Sequence, residues 1–331
     1  MKRYIKHIVF VLIFALLIVS LSACGTKGAE QEPTPSASGN LFDLLSQLPT
    51  FGSSVEPTGS ASPSPTDSRI RRSTLYFSTD DGYTLPVSVD VPWQDGIAKA
   101  CLGKLIKNEE NRLEFQQQGI VGVIPDGTEI ELNIKDGSAT VNLVHMPPLS
   151  SAEEEQRMFV SIVNTLTEFD SVDTVTILMD GKEGRTTNGN VLPSRQGTYR
   201  LNSEQPSVTT SGSANAITLY FPNASGSANI PITRYVQSET DLYTCMSELV
   251  AGTELPNLVS CFPENTIVLG ATLENGVLNI NLTNDFKAIT DTPGLYELAS
   301  SCAALTAGSF GSIDEVRFLV NGVQFVPGNA N

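Results

Sequence analysis

Phe169-Asp170-Ser171-Val172-Asp173-Thr174-Val175-Thr176-Ile177-Leu178-Met179-Asp180-Gly181 returns later in the chain as Phe310-Gly311-Ser312-Ile313-Asp314-Glu315-Val316-Arg317-Phe318-Leu319-Val320-Asn321-Gly322. The copies share Phe, Ser, Val or Ile, Asp, Val, a branched or aromatic run, Leu, and a final Asp-Gly or Asn-Gly. Alternating β-branched and apolar residues closed by such a dipeptide predict a strand entering a tight turn. The separation of the copies is far longer than the repeat of a solenoid. Two copies of one domain follow.

Upstream of the first copy, the Ser151 to Phe169 stretch predicts a helix. Ser150 or Ser151 can cap it, and Glu153, Glu154 and Glu155 suit the positive end of its dipole. Phe159, Ile162, Val163 and Leu166 form the apolar stripe. Before it, Thr128 to Lys135 and Ser138 to Leu143 read as a hairpin turning at Asp136-Gly137. Further back, a helix is predicted from about Asp95 to Asn108, with Ile97, Cys101, Leu102, Leu105 and Ile106 on one face. Thr74 to Phe77 and Leu85 to Val91 read as a strand pair around Asp80-Asp81-Gly82.

The second copy repeats this order. Thr218-Leu219-Tyr220-Phe221 matches Thr74-Leu75-Tyr76-Phe77, and Pro231-Ile232 matches Pro86-Val87. Leu242, Cys245, Met246, Leu249 and Val250 repeat the first helix face, with Cys245 at the place of Cys101. Asn275-Gly276 repeats the hairpin turn, and Leu298, Cys302 and Leu305 are expected to repeat the stripe of the second helix. The predicted class is α+β: two tandem small domains, each a sheet with two helices packed on one face. The expected bounds are 73–200 for the first domain, 201–216 for a Gly-, Ser- and Thr-rich linker, and 217–331 for the second.

The N-terminal part is of another kind. Lys2, Arg3 and Lys6 precede an apolar run from Ile8 to Val19, then Leu21-Ser22-Ala23-Cys24. A basic head with a short apolar core predicts an export signal over 1–23. The Leu-Ser-Ala-Cys ending resembles a bacterial lipobox, which implies cleavage before Cys24 and lipidation of Cys24. Localisation would then be the cell membrane, by a lipid anchor on its extracytoplasmic face. Residues 24–72 carry Ser, Pro, Gly and Thr in a composition that does not offset its ordering entropy, and predict a disordered tether. Such a chain has an end-to-end distance of roughly 35–45 Å. Leu41-Phe42-Asp43-Leu44-Leu45-Ser46-Gln47-Leu48 interrupts it with apolar residues at helical spacing, read either as a transient helix or as a docking motif.

Composition narrows the function. The net charge is -16, which argues against nucleic-acid binding. Beyond the signal one histidine remains, His145, so His-based zinc sites and most hydrolytic triads are not expected. The acids Asp80, Asp136 and Asp180 sit in turns, and Glu153 to Glu155 at a helix start, where structural roles account for them. No catalytic, cofactor-binding or metal-binding residue is predicted. Cys101, Cys245 and Cys302 fall on apolar helix faces, where a thiol behaves as a small hydrophobe. Outside the membrane a disulfide is permitted, and Cys261 could approach Cys245 or Cys302.

The chain resembles the GerMN domain family. The resemblance rests on Leu75-Tyr76-Phe77, on Ile124-Pro125-Asp126-Gly127-Thr128, and above all on Ile162-Val163-Asn164-Thr165-Leu166-Thr167-Glu168-Phe169 running into Val175 to Gly181. The second copy has Cys302-Ala303-Ala304-Leu305-Thr306-Ala307 there, keeping Leu and Thr but losing Asn and Glu. The resemblance implies small α+β modules like those that build rings in secretion-type assemblies. It implies a non-enzymatic lipoprotein supporting a channel complex and germination in endospore formers, with envelope proteins as partners. Similar domains also occur beside cell-wall amidases and sensor kinases, so a binding or regulatory module for such proteins or for peptidoglycan is the alternative. The soluble part is expected to be a monomer.

Overall fold

The computed structural model describes residues 70–204 and 214–327. The leader, Cys24, the Leu41 to Leu48 segment and the tether up to residue 69 lie outside the described residues. Residues 70–72, placed by composition at the end of the tether, are instead the first residues of a strand.

That strand is β1 (Ile70–Thr79), which pairs antiparallel with β2 (Thr84–Pro92) and, at its end, with β3 (Ile120–Val121). Ile70 lies opposite Pro92 and Arg71 opposite Val91. A second sheet has the order β4-β5-β6, with β4 (Glu129–Lys135), β5 (Ser138–Val144) and β6 (Thr174–Met179). The β4–β5 pair is antiparallel and β5–β6 parallel. Each domain therefore divides its strands between two small sheets. A parallel pair needs a long crossover, supplied here by the helix α3 (Ala152–Thr167). Met158, Phe159, Ile162, Val163 and Leu166 of α3 are fully buried. Ser151 caps α3, its hydroxyl accepting from the Glu154 backbone N–H at 3.2 Å.

The first predicted helix is shorter than its apolar pattern. It comprises α1 (Ile97–Lys104), and a second helix, α2 (Glu109–Phe115), follows. The chain leaves the helix because Leu105 O accepts from both Val123 N and Ile124 N, at 2.8 and 2.9 Å. Asn108 then caps α2 by accepting from Asn111 N, and the Asn111 amide donates back to Gly103 O and Ile106 O. Asn108-Glu109-Glu110 was the readable signal for α2: a cap followed by two acids in the first turn.

The second domain repeats the plan. It has β7 (Asn215–Pro222) and β8 (Asn229–Val236), α4 (Leu242–Val250), and a four-stranded sheet of order β12-β11-β10-β9. Those strands are β9 (Val268–Glu274), β10 (Val277–Leu282), β11 (Glu315–Val320) and β12 (Val323–Gln324), with α5 (Leu295–Ala307) as the crossover. A 3-10 helix, Asn284–Asp291, buries Phe286 and Ile289. The expected stripe of Leu298, Cys302 and Leu305 is corrected. Ala299, Cys302, Ala303 and Ala307 are fully buried, while Leu298 and Leu305 are half-buried. Thr306 sets this rotation, because its hydroxyl accepts from Tyr220 N of β7 at 3.1 Å. The volume that small residues leave is filled by Phe262, Phe286, Phe318 and Phe325, whose rings meet at centroid distances of 4.8–6.1 Å.

The two copies of the opening stretch do the same work. Gly137 O accepts from Asp173 N and Thr174 N at 2.7 and 3.1 Å. Gly276 O accepts from Asp314 N and Glu315 N at the same two distances. The Asp173 carboxylate lies where a Cβ on Gly137 would stand, and Asp314 does likewise at Gly276. Each glycine has φ near +77, at 76° and 78°. The Asp of the parallel strand thus seats itself on the open side of the hairpin turn.

Candidate interaction surfaces

The polar residues of the α3 motif each hold a piece of backbone. Thr165 accepts from Tyr76 N of β1 at 3.0 Å, the counterpart of Thr306 with Tyr220. Asn164, almost fully buried, accepts from Tyr199 N at 2.8 Å and donates to Tyr199 O at 3.0 Å. Glu168 accepts from the Tyr76 hydroxyl at 2.6 Å. Burial and then Glu168 push the Tyr76 phenol up. Superposing Thr306 on Thr165 puts Leu305 in place of Asn164 and Ser309 in place of Glu168. The second copy therefore keeps the strand tie and loses the two contacts made by the first.

Asn164 grips a segment that composition placed partly in the first domain and partly in a linker. After β6 the chain turns back over the first domain as a strap. Glu155 of α3, buried, accepts from Thr186 Oγ1 at 2.5 Å and from the amides of Asn188 and Asn190 at 3.0 Å. Val175 and Gln196 exchange backbone hydrogen bonds, and Ile177 N donates to Pro193 O, so the strap covers the free edge of β6. Glu155 thus does more than complement a helix dipole.

The strap then crosses to the second domain. Asn202 accepts from Thr84 N and donates to Thr84 O and Pro231 O, at 2.9, 2.8 and 2.7 Å, joining β2 to β8. Leu201 to Glu204, expected in the linker, pair with β8: Thr233 N donates to Leu201 O and Glu204 N to Thr233 O. Arg234 grips Glu204 through two nitrogens at 2.5 and 2.7 Å, and also reaches Glu248 and Gly252 O. Thr253 donates to Glu204 at 2.6 Å. Burial opposes the Glu204 charge, but Arg234 and Thr253 outweigh it and hold the carboxyl below its usual range. Tyr83, from the β1–β2 turn, joins the apolar core of the second domain and donates its hydroxyl to Pro256 O at 2.6 Å.

The remaining predicted residues are placed as follows. His145 is exposed, with φ 55, and its Nδ1 lies 3.7 Å from Glu129. Asp180 accepts from His145 N, and Asp136 forms the hairpin turn. Among the described residues no cluster of three or more His, Cys, Asp or Glu could hold a metal ion. Cys101 and Cys245 are buried at matching places on α1 and α4, and all four described cysteines are free thiols. Cys261 and Cys302 belong to the same buried core, and the neighbouring Cys261 thiol, with burial, pushes the Cys302 thiol up. Cys302 also donates to Asn229 Oδ1 at 3.4 Å.

Two copies of a small α+β unit, strapped into one body, define a tandem-domain protein. A family model described as Germane, sporulation and spore germination, matches residues 74–185 and 218–325. The chain belongs to this family. It is similar to the spore germination protein GerM of Bacillus subtilis (strain 168), at 23% identity over 263 residues, 75% of this chain and 71% of that protein. The solved tandem GerMN domains of the sporulation protein GerM from Bacillus subtilis share the fold, with TM-score 0.58 at 21% identity. That match covers 77% of this chain and 92% of the solved one.

Proposed function

We propose that the protein is a lipid-anchored, non-catalytic scaffold that supports a multiprotein envelope complex in endospore formation and germination. The observation that carries this reading is the strap. Long-range side chains (Glu155, Asn164, Asn202, Glu204) are spent on fixing two duplicated domains as one body, as a scaffold requires. Membership of a sporulation and germination family supports the setting. The export signal over 1–23 and the Cys24 box support a membrane anchor on the extracytoplasmic face. A tether between anchor and domains would confine the copies to one surface and raise their effective concentration for partners.

Two experiments test the reading. Crosslinking in spore-forming cells is expected to capture envelope proteins on the parent chain, and capture of none would refute the scaffold role. Cys24→Ala is expected to move the protein from the detergent to the aqueous phase on phase partitioning. Unchanged partitioning would assign membrane attachment to the apolar run from Ile8 instead. Sedimentation of the unlipidated chain is expected to give a monomer, since its net charge of -16 opposes self-association.

A further inference from the structure

The two domains differ along the outer strand of one sheet. In the first, the outer strand β4 is guarded by charge, with Glu129, Glu131 and Lys135 exposed. Its neighbour Phe169 is buried under the Arg71 guanidinium, 4.6 Å from the ring centroid. In the second domain most of these guards are replaced: Gly270 stands opposite Asn281 where Glu131 stands opposite Asn142, while Glu274 keeps a charge at the place of Lys135. Matching the hairpins sets Ile267 at the place of Glu129. The β9–β10 register shifts between Asn281 and Leu282, and the bulge adds Leu269. Asn215 stands where Arg71 would cover the ring, and Phe310 is exposed.

Apolar side chains take their place along β9 and at the start of α4. The Tyr243 hydroxyl of α4 reaches Val268 O at 3.4 Å, between Ile267 and Leu269. Ile267 is 61% exposed, Leu269 49%, Tyr243 48% and Phe310 38%. Leu242 and Leu273 continue the strip into a shallow hollow of about 600 Å³ that ends at Phe310. The strip follows the length of β9, roughly 20 Å at about 3.3 Å per residue. Acids stand at both ends: Asp241 caps α4 two residues before Tyr243, Glu274 ends β9, and Asp314 lines the hollow with Phe310. The described part of this domain holds eleven acids and three bases. Of the bases, Arg234 and Arg317 are ion-paired and Lys287 lies on the 3-10 helix.

We propose that this strip is the docking face for a partner protein segment that carries apolar side chains flanked by lysine or arginine. An exposed apolar strip of this extent on one copy, with its counterpart guarded, marks an interaction site. The acidic ends select the partner by charge complementarity. They repel an anionic lipid surface and a second copy of this chain alike. The inference rests on the scaffold reading and names one of its contacts.

The test uses the purified chain and a fluorescent eight-residue peptide of alternating valine and lysine. Anisotropy is expected to show saturable binding, and hydrogen exchange to slow across Val268–Glu274. Ile267→Glu combined with Leu269→Glu is expected to weaken binding by about tenfold or more, although it adds negative charge. Both side chains are exposed, so the fold is retained. Val191→Glu, at an exposed apolar residue of the first domain, is expected to leave binding unchanged. Unchanged or tighter binding by the double variant would reduce the effect to bulk charge and overturn the proposal. Equal binding of a valine–glutamate peptide would do the same. So would a dimer, or flotation with anionic vesicles, that the double variant abolishes. If the strip fails while partners are still crosslinked in cells, the scaffold reading stands without it.

Discussion

Glycine at 137 and 276 answers a requirement set elsewhere in the chain. The left-handed backbone there costs an L-residue about 1–2 kcal/mol, and the facing aspartate fills the space a side chain would need. Gly137→Ala and Gly276→Ala are each expected to destabilise their own domain by about that amount or more, read from urea midpoints. Carboxylates set the acid limit. Glu154 accepts from Lys107 Nζ at 2.5 Å and from Ser150, and these bonds, Lys107 first, hold its carboxyl at about 2. A folded value below the unfolded one, about 4.3, means stability present above pH 4.3 and lost as pH falls towards 2. Glu204, lowered chiefly by Arg234 against burial, acts with the same sign. Glu154→Gln is expected to flatten the stability curve between about pH 4.3 and 2, and equal slopes in acid titrations of parent and variant would refute the assignment. These partners were not legible in the sequence. Glu154 read as a helix-dipole acid, because Lys107 lies in a separate element that only the fold brings near.

At the scale of elements, the crossover helix and the first strand of each domain are tied by one threonine. Thr165→Val would leave Tyr76 N buried without an acceptor, at an expected cost of about 1–3 kcal/mol, and Thr306→Val should do the same for Tyr220. Leu166→Ala, at a fully buried site, is expected to cost about 2–5 kcal/mol. Thermal melts indistinguishable from the parent would refute either. The strands, both hairpin turns and the first crossover helix could be read from alternation, Asp-Gly or Asn-Gly, and a four-residue apolar stripe. The α5 stripe was misread because its buried face is alanine and cysteine, which carry little periodic contrast against nearby leucines. The pattern of α1 ran past Lys104 because Leu105 and Ile106 are buried or half-buried off the helix as well as on it. The strap was invisible to periodicity: its order comes from side-chain amides and one buried glutamate, and its composition is that of a linker.

For the whole molecule, the joint decides whether two domains behave as one. Tyr83→Ala with Glu204→Gln removes an aromatic from the neighbouring core and the ion pair that clamps the strap. Calorimetry is expected to resolve two transitions where the parent gives one. A single transition in the variant would show that the joint does not couple the domains. The joint is also directional. The Thr79–Tyr83 turn of the first domain corresponds to the Asn223–Ala228 turn of the second, since Thr79 N donates to Tyr83 O and Asn223 N to Ala228 O. Where the first domain sends a tyrosine forward, the second presents an alanine. Leu305, in place of Asn164, likewise cannot hold an onward strap. The molecule thus has a first unit built to engage the second, and a second unit without the matching tyrosine and asparagine. Seating therefore runs one way, and a copy of the first domain placed after the second would find neither a tyrosine nor a strap to hold it.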